Sequence, residues 1–199
     1  MARTAVSNWA SLSPRSFSLF SALLCSVTPV VYPLDLNTKL SADSGDLLPA
    51  LESFRSLVGK LLFLTHTRPD IHFVVQHLSQ FLKSPRVPHI TDALHVLRYL
   101  KGTMDLGLFC SDSNDFSITA FLDSDWAACP DTRRSITGFC IFLRDSLVSW
   151  KSKKQPIVSL SSAEAEYMAL SKVVAELTWF SRLLHDFVVP VMLLFSVFL

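Results

Sequence analysis

Two short runs carry the residues most able to do chemistry. Phe121-Leu122-Asp123-Ser124-Asp125-Trp126 places carboxylates where a β-strand should end. Ser161-Ser162-Ala163-Glu164-Ala165-Glu166-Tyr167 places two more in the first turns of a helix. A strand carboxylate and a helix carboxylate can together hold a divalent ion against a phosphodiester. Such a site usually needs a third acid, and Val191-Met192-Leu193-Leu194-Phe195-Ser196-Val197-Phe198-Leu199 offers none.

The two glutamates differ in setting. Ser161 followed three residues later by Glu164 is a capping-box pattern, which makes Glu164 a cap. Glu166, Leu170, Val173, Leu177 and Leu184 fall on one helical stripe, so Glu166 is expected at the edge of the packing face. A carboxylate there is costly unless a cation or donor meets it. Capping or pairing with a lysine would satisfy it as well as a metal would. Taken alone, Asp123 and Asp125 also fit turn formers or a helix cap.

The elements that position these residues follow from periodicity. Helical spacing begins with Phe54, Leu57, Val58, Leu61, Leu62 and Leu64 and pauses at Arg68-Pro69-Asp70, where Pro69 can open the next helix. Ile71, Val74, Val75, Leu78, Phe81 and Leu82 form a second stripe. A third helix is expected from about Thr91 to Gly102. The period then drops to two: strands are expected at Leu106–Cys110 and at about 116–123, 136–143 and 147–151, before a helix lasting to about His185. Three helices, four strands and a long helix predict an α+β fold. The boundaries read as an unassigned segment 1–32, a helical segment 33–105, a strand–helix domain 106–187 and an apolar tail 188–199 that can start a further core strand.

Composition narrows the classes. Of 199 residues, 50% are hydrophobic and 18% charged, enough for a buried core and against wholesale disorder. A net charge of +1 means that any nucleic-acid site must be a local patch. Cys25, Cys110, Cys129 and Cys140 show no C-x-x-C and read as thiols in a reducing compartment, cytoplasmic or nuclear. Residues 17–32 superficially resemble a secretory signal, but Pro29 interrupts the run and no small-x-small cleavage site follows, so a frayed terminus is the preferred reading. The apolar run from Phe187 to Leu199 is too short to span a bilayer, and no stable membrane insertion is expected.

Four blocks in order resemble the ribonuclease H domain of copia-type LTR-retrotransposon Pol polyproteins. They are Phe121-Leu122-Asp123-Ser124-Asp125-Trp126-Ala127, Asp131-Thr132-Arg133-Arg134-Ser135-Ile136-Thr137-Gly138, Val148-Ser149-Trp150-Lys151-Ser152-Lys153-Lys154-Gln155 and Leu160-Ser161-Ser162-Ala163-Glu164-Ala165-Glu166-Tyr167. Upstream, Arg55-Ser56-Leu57-Val58-Gly59-Lys60-Leu61, Thr67-Arg68-Pro69-Asp70-Ile71 and Leu97-Arg98-Tyr99-Leu100-Lys101-Gly102-Thr103 resemble the helical segment that joins reverse transcriptase to that domain. The resemblance covers roughly Tyr32 to Phe187.

It implies a helical connection segment followed by an incomplete ribonuclease H-like fold, antiparallel strands plus a packing helix. Asp123 and Glu166 would be catalytic metal ligands, Mg2+ the cofactor and an RNA–DNA hybrid the partner, alongside remaining polyprotein segments. Arg133, Arg134, Lys151, Lys153 and Lys154 would meet phosphates, although each also fits a solvated basic surface. The family carries a third and a fourth catalytic acid after the long helix. None stands in this sequence, so an inactive relic is expected, with a non-catalytic nucleic-acid or protein-binding module as the alternative. The paired adjacent aspartates of a polymerase site are absent too.

Overall fold

The computed structural model describes residues 28–34, 40–112, 116–189 and 195–198. Most of the signal-like run and half of the apolar tail therefore lie outside the described residues. The chain divides into two compact units that meet in sequence at Gly107 and Leu108.

The first unit is helical. α1 (Leu51–Leu64) buries Phe54, Val58, Leu61 and Leu64, the spacing its sequence announced. Pro69–Ile71 forms a 3-10 turn with Pro69 at its start, and α2 (His72–Leu78) follows, ending in a second 3-10 turn at Ser79–Phe81. The expected single helix over Ile71–Leu82 is thus a short α-helix tightened at both ends. α3 (Val87–Gly102) begins four residues before the expected Thr91, because Pro88 sits in its first turn, where a missing N–H breaks no bond. His89 completes that start. Its Nδ1 accepts the Arg86 N–H at 2.9 Å, while its ring stacks on Phe81 with centroids 4.0 Å apart. The fully buried Phe54, Ile71, Leu78 and Leu97 sit at the centre of this unit's core.

An ion pair between the buried Arg68 and the exposed Asp70 closes the turn between α1 and α2. Arg68 donates to both carboxylate oxygens of Asp70, at 3.0 and 2.7 Å, and to the Thr103 carbonyl at 2.8 Å. Tyr99 donates its hydroxyl to Asp70 at 2.8 Å. The motif Arg68-Pro69-Asp70 therefore anchors the far end of α3.

The second unit is a sheet covered by one helix. β1 (Ile118–Asp125), β2 (Ile136–Leu143) and β3 (Ser146–Lys154) form an antiparallel meander. α4 (Ser162–Asp186) follows, and β4 (Phe195–Phe198) adds to β1 in parallel, giving the order β3-β2-β1-β4. The fold is α+β, with four α-helices and one mixed four-stranded sheet among the described residues. The strand expected at Leu106–Cys110 does not form. Leu106 and Phe109 are about half exposed, and alternation without a partner strand leaves backbone donors and acceptors to water. A strand, β4, forms within the apolar tail, at the edge of the sheet with Ser196, Val197 and Phe198 exposed.

Period-two burial decides which sheet face α4 covers. Ile118, Ala120 and Leu122 of β1 and Phe139 and Ile141 of β2 pack with Ala169, Val173, Leu177 and Leu184 of α4. The other face of β1 carries Phe121, Asp123 and Asp125, all exposed.

Candidate metal and nucleic-acid site

The buried line of α4 runs through Ala165, Ala169, Val173, Leu177 and Leu184. The expected stripe shared its last three members but placed Glu166 and Leu170 at its head. Glu166 is exposed instead, one position round the helix from Ala165, while Leu170 is half-buried at the core's margin. The reason is size. Alanine lets the helix start approach the sheet end closely, where a glutamate would clash and lose its water. Glu164 forms half of the expected capping box: its N–H donates to Ser161 Oγ at 3.1 Å, but its carboxylate accepts the N–H of Leu160, one residue before the cap, at 2.6 Å.

Gln155 joins the two candidate runs. Only 1% exposed, it directs its side-chain nitrogen at Ser124 Oγ (3.2 Å), Thr137 Oγ1 (3.0 Å) and the Ala165 carbonyl (2.9 Å). Its Oε1 accepts from Ser159 Oγ at 2.9 Å. Ser124 and Ala165 are the sequence neighbours of Asp123 and Glu166. One amide therefore ties the end of β1 to the first turn of α4, and Trp126 reinforces the tie by donating to the Ser159 carbonyl at 3.0 Å. Sequence reasoning missed Gln155, because nothing in a lysine-rich run marks one amide as buried.

Asp123 leaves β1 on the face that α4 does not cover, and Glu166 stands on α4. Asp123 pairs in register with Gly138, where an added Cβ would meet nothing within 4 Å. The carboxylate thus has open space beside it. Asp125 lies two residues on, on the same face. Burial and then the nearby Asp123 charge raise its carboxyl above the ordinary 3.8. Among the described residues, no three histidine, cysteine or acidic side chains gather as a metal cluster.

The basic candidates divide between places. Arg133 and Arg134 lie on the β1–β2 loop, held by Arg133 N–H to the Cys129 carbonyl (2.8 Å) and Cys129 N–H to the Arg134 carbonyl (3.1 Å). Arg133 adopts φ +54°, a left-handed conformation that this closed loop sustains, and its side chain is exposed. Lys154 points to the open face and donates to Cys129 Sγ at 3.4 Å. Lys151 and Lys153 project on the α4 side with Lys172, around a pocket of about 280 Å3. Lys172 was not singled out from the sequence, since its neighbours come from a different element.

Comparison with known proteins bears on this geometry. The chain is 40% identical to the retrovirus-related Pol polyprotein from transposon RE2 of Arabidopsis thaliana, over 79% of this chain and 11% of that protein. It is 34% identical to the Pol polyprotein from transposon TNT 1-94 of Nicotiana tabacum, over 80% of this chain and 12% of that one. The chain belongs to the copia-type transposon Pol polyprotein family. This Pol-family chain is also 45% identical to the uncharacterized mitochondrial protein AtMg00810 of Arabidopsis thaliana, over 79% of its own length and 64% of the relative. It spans less than two thirds of that protein and about a ninth of the two Pol polyproteins. No family model matches the chain, and no solved structure matches it significantly.

Proposed function

We propose that the strand–helix unit is a ribonuclease H-like module that binds an RNA–DNA hybrid, with Asp123 and Glu166 as ligands of Mg2+. The helical unit before it is the connection from reverse transcriptase, and the chain works in the cytoplasm or nucleus. The observation that carries this reading is the end of β1. There the Gln155 tie joins Ser124 at the strand end to Ala165 in the first turn of α4, the sequence neighbours of the two acids, while Asp123 itself faces the side of the sheet that α4 leaves open.

The residues suit a hard ion with oxygen ligands. Mg2+ keeps several waters and is commonly held by one or two carboxylates together with substrate phosphates. When bound, such an ion lowers the pKa of an attacking water and stabilises a leaving oxygen. The chain's own part is to orient and bind. Asp123 presents its carboxylate beside the bare Gly138, Glu166 adds a second from α4, and the basic residues at 133, 134, 151, 153 and 154 meet phosphates. Recognition of a hybrid by phosphates and 2′-hydroxyls needs little base readout.

Hydrolysis by these residues alone is expected to be negligible. Two carboxylates supply about −2 of charge against +4 from two ions. In the register observed, Phe195–Phe198 face Ile118–Phe121 and none faces Asp123. Their lack of an acid therefore does not bear on the position across from Asp123. The alternative, a module that binds without any metal, draws on the lysines gathered beside α4.

The test is the purified chain with a labelled RNA–DNA hybrid in Mg2+ and in Mn2+, beside Asp123→Asn and Glu166→Gln. Expected is metal-dependent binding weakened by either substitution, with little cleavage. Cleavage abolished by Asp123→Asn would restore the enzyme. Binding indifferent to metal and to both substitutions would remove the metal site.

A further inference from the structure

Lys151 and Lys153 alternate along β3 toward the side that α4 covers, in register with Phe139 and Thr137 of β2. Lys172 of α4 meets them across a pocket of about 280 Å3, whose wall is completed by Phe139, Thr137, Ala175 and Glu176. Glu176 is the pocket's one acid, and its carboxylate already accepts a hydrogen bond from Ser149 Oγ at 3.1 Å. Among the described residues none of the three lysines has an ion-pair partner within 4.0 Å. Burial holds the Lys172 ammonium below its ordinary 10.5, and the positive charges of Lys153 and Lys151 act in the same direction. Three like charges converging on one concavity repel one another, and an exposed lysine has cheaper places to point. A bound anion would reverse the sign of that interaction.

We propose that Lys151, Lys153 and Lys172 form a phosphate-binding pocket that takes the oxyanion of a nucleic-acid backbone or of a free polyphosphate. The pocket lies on the side of the sheet away from Asp123, so a phosphate held there is not the one beside that carboxylate. Its dimensions suit one or two phosphate groups seated on the apolar floor of Phe139, with ammonium donors on the rim. Lysine binds phosphate as a point charge, without the planar fork of arginine, and three of them around one concavity compensate for that. The inference rests on the proposed function only in offering nucleic acid as one source of the phosphate.

Titration of the full chain with pyrophosphate in EDTA, followed by calorimetry, tests the pocket without any divalent metal. Its failure is therefore separate from failure of the metal site. Lys172→Met and Lys151→Met should each weaken pyrophosphate binding roughly tenfold at low salt, while leaving the melting temperature equal or higher because repulsion is relieved. Glu176→Gln should tighten binding, a gain that damage to the fold would not produce. A labelled RNA–DNA hybrid distinguishes the sources. If the strand is the ligand, Lys172→Met lowers hybrid affinity and reduces the salt slope by about one. If only pyrophosphate responds, the pocket takes free polyphosphate. Pyrophosphate and hybrid binding that are both unmoved by Lys172→Met and Glu176→Gln would overturn the proposal.

Discussion

At the scale of single residues, the candidate site depends on side chains that carry no charge. Gln155 spreads its amide over Ser124, Thr137 and Ala165 while accepting from Ser159. Truncating it leaves several buried groups without partners, each costing about 1–3 kcal/mol. Gln155→Ala should therefore destabilise the sheet unit by roughly 2–4 kcal/mol in a urea melt. It should also weaken metal-dependent hybrid binding if the tie positions Asp123 and Glu166; loss of stability with binding unchanged would confine Gln155 to the fold. Gly138 predicts opposite signs. Its Cβ position is open, and glycine inside a strand is less favourable than alanine by about 0.5–1 kcal/mol. Gly138→Ala should raise stability by that amount yet reduce access to Asp123, read as weaker hybrid binding. The two key acids were legible as residue types in the sequence. Their settings were not, because a single residue of helix phase, about 100°, separates the exposed Glu166 from the buried Ala165.

At the scale of elements, helix ends carry the less obvious determinants. α3 starts at Val87 because His89 folds back on Arg86 and stacks on Phe81. Its Nδ1 accepts the Arg86 N–H, so the ring proton is on Nε2, which donates to the Ser41 carbonyl at 3.1 Å. His89→Ala should cost about 2–4 kcal/mol, combining a lost cap with a cavity in the core, measurable by denaturant unfolding. The turn before α2 yields a pH dependence. Burial alone would raise the Asp70 carboxyl, but the hydrogen bonds from Arg68 and Tyr99 outweigh it and hold Asp70 below 3.8. A depressed folded pKa means that the stabilisation is complete above about 3.8 and is lost as pH falls through the folded value. Stability of the helical unit should accordingly drop on acidification below that point, and Asp70→Asn should flatten the dependence. A pH series on both proteins, with equal slopes, would show that Asp70 is not the group responsible.

For the whole molecule, two cores built from separate stretches of chain predict separable unfolding. Calorimetry should give a total enthalpy larger than the van't Hoff value of either transition. Arg68→Ala should shift the transition of the helical unit and Gln155→Ala that of the sheet unit; one transition moved equally by both would refute this. The helices and the three meander strands were written locally, in hydrophobic spacing, capping pattern and the change of period after Gly102. The acids were recognisable for the same reason: short runs keep strand end and helix start within view. What remained out of reach required contacts across elements. The failure of Leu106–Cys110 to form a strand turns on a missing partner, which no local alternation reports. The displacement of Glu166 from the buried face turns on how closely α4 approaches the sheet, and the meeting of Lys172 with Lys151 and Lys153 turns on where a helix crosses an edge strand. Sequence by itself determined the kinds of element and their order, because those follow from interactions a few residues apart. Tertiary structure decided which face each side chain occupies, because that depends on partners brought together from distant parts of the chain.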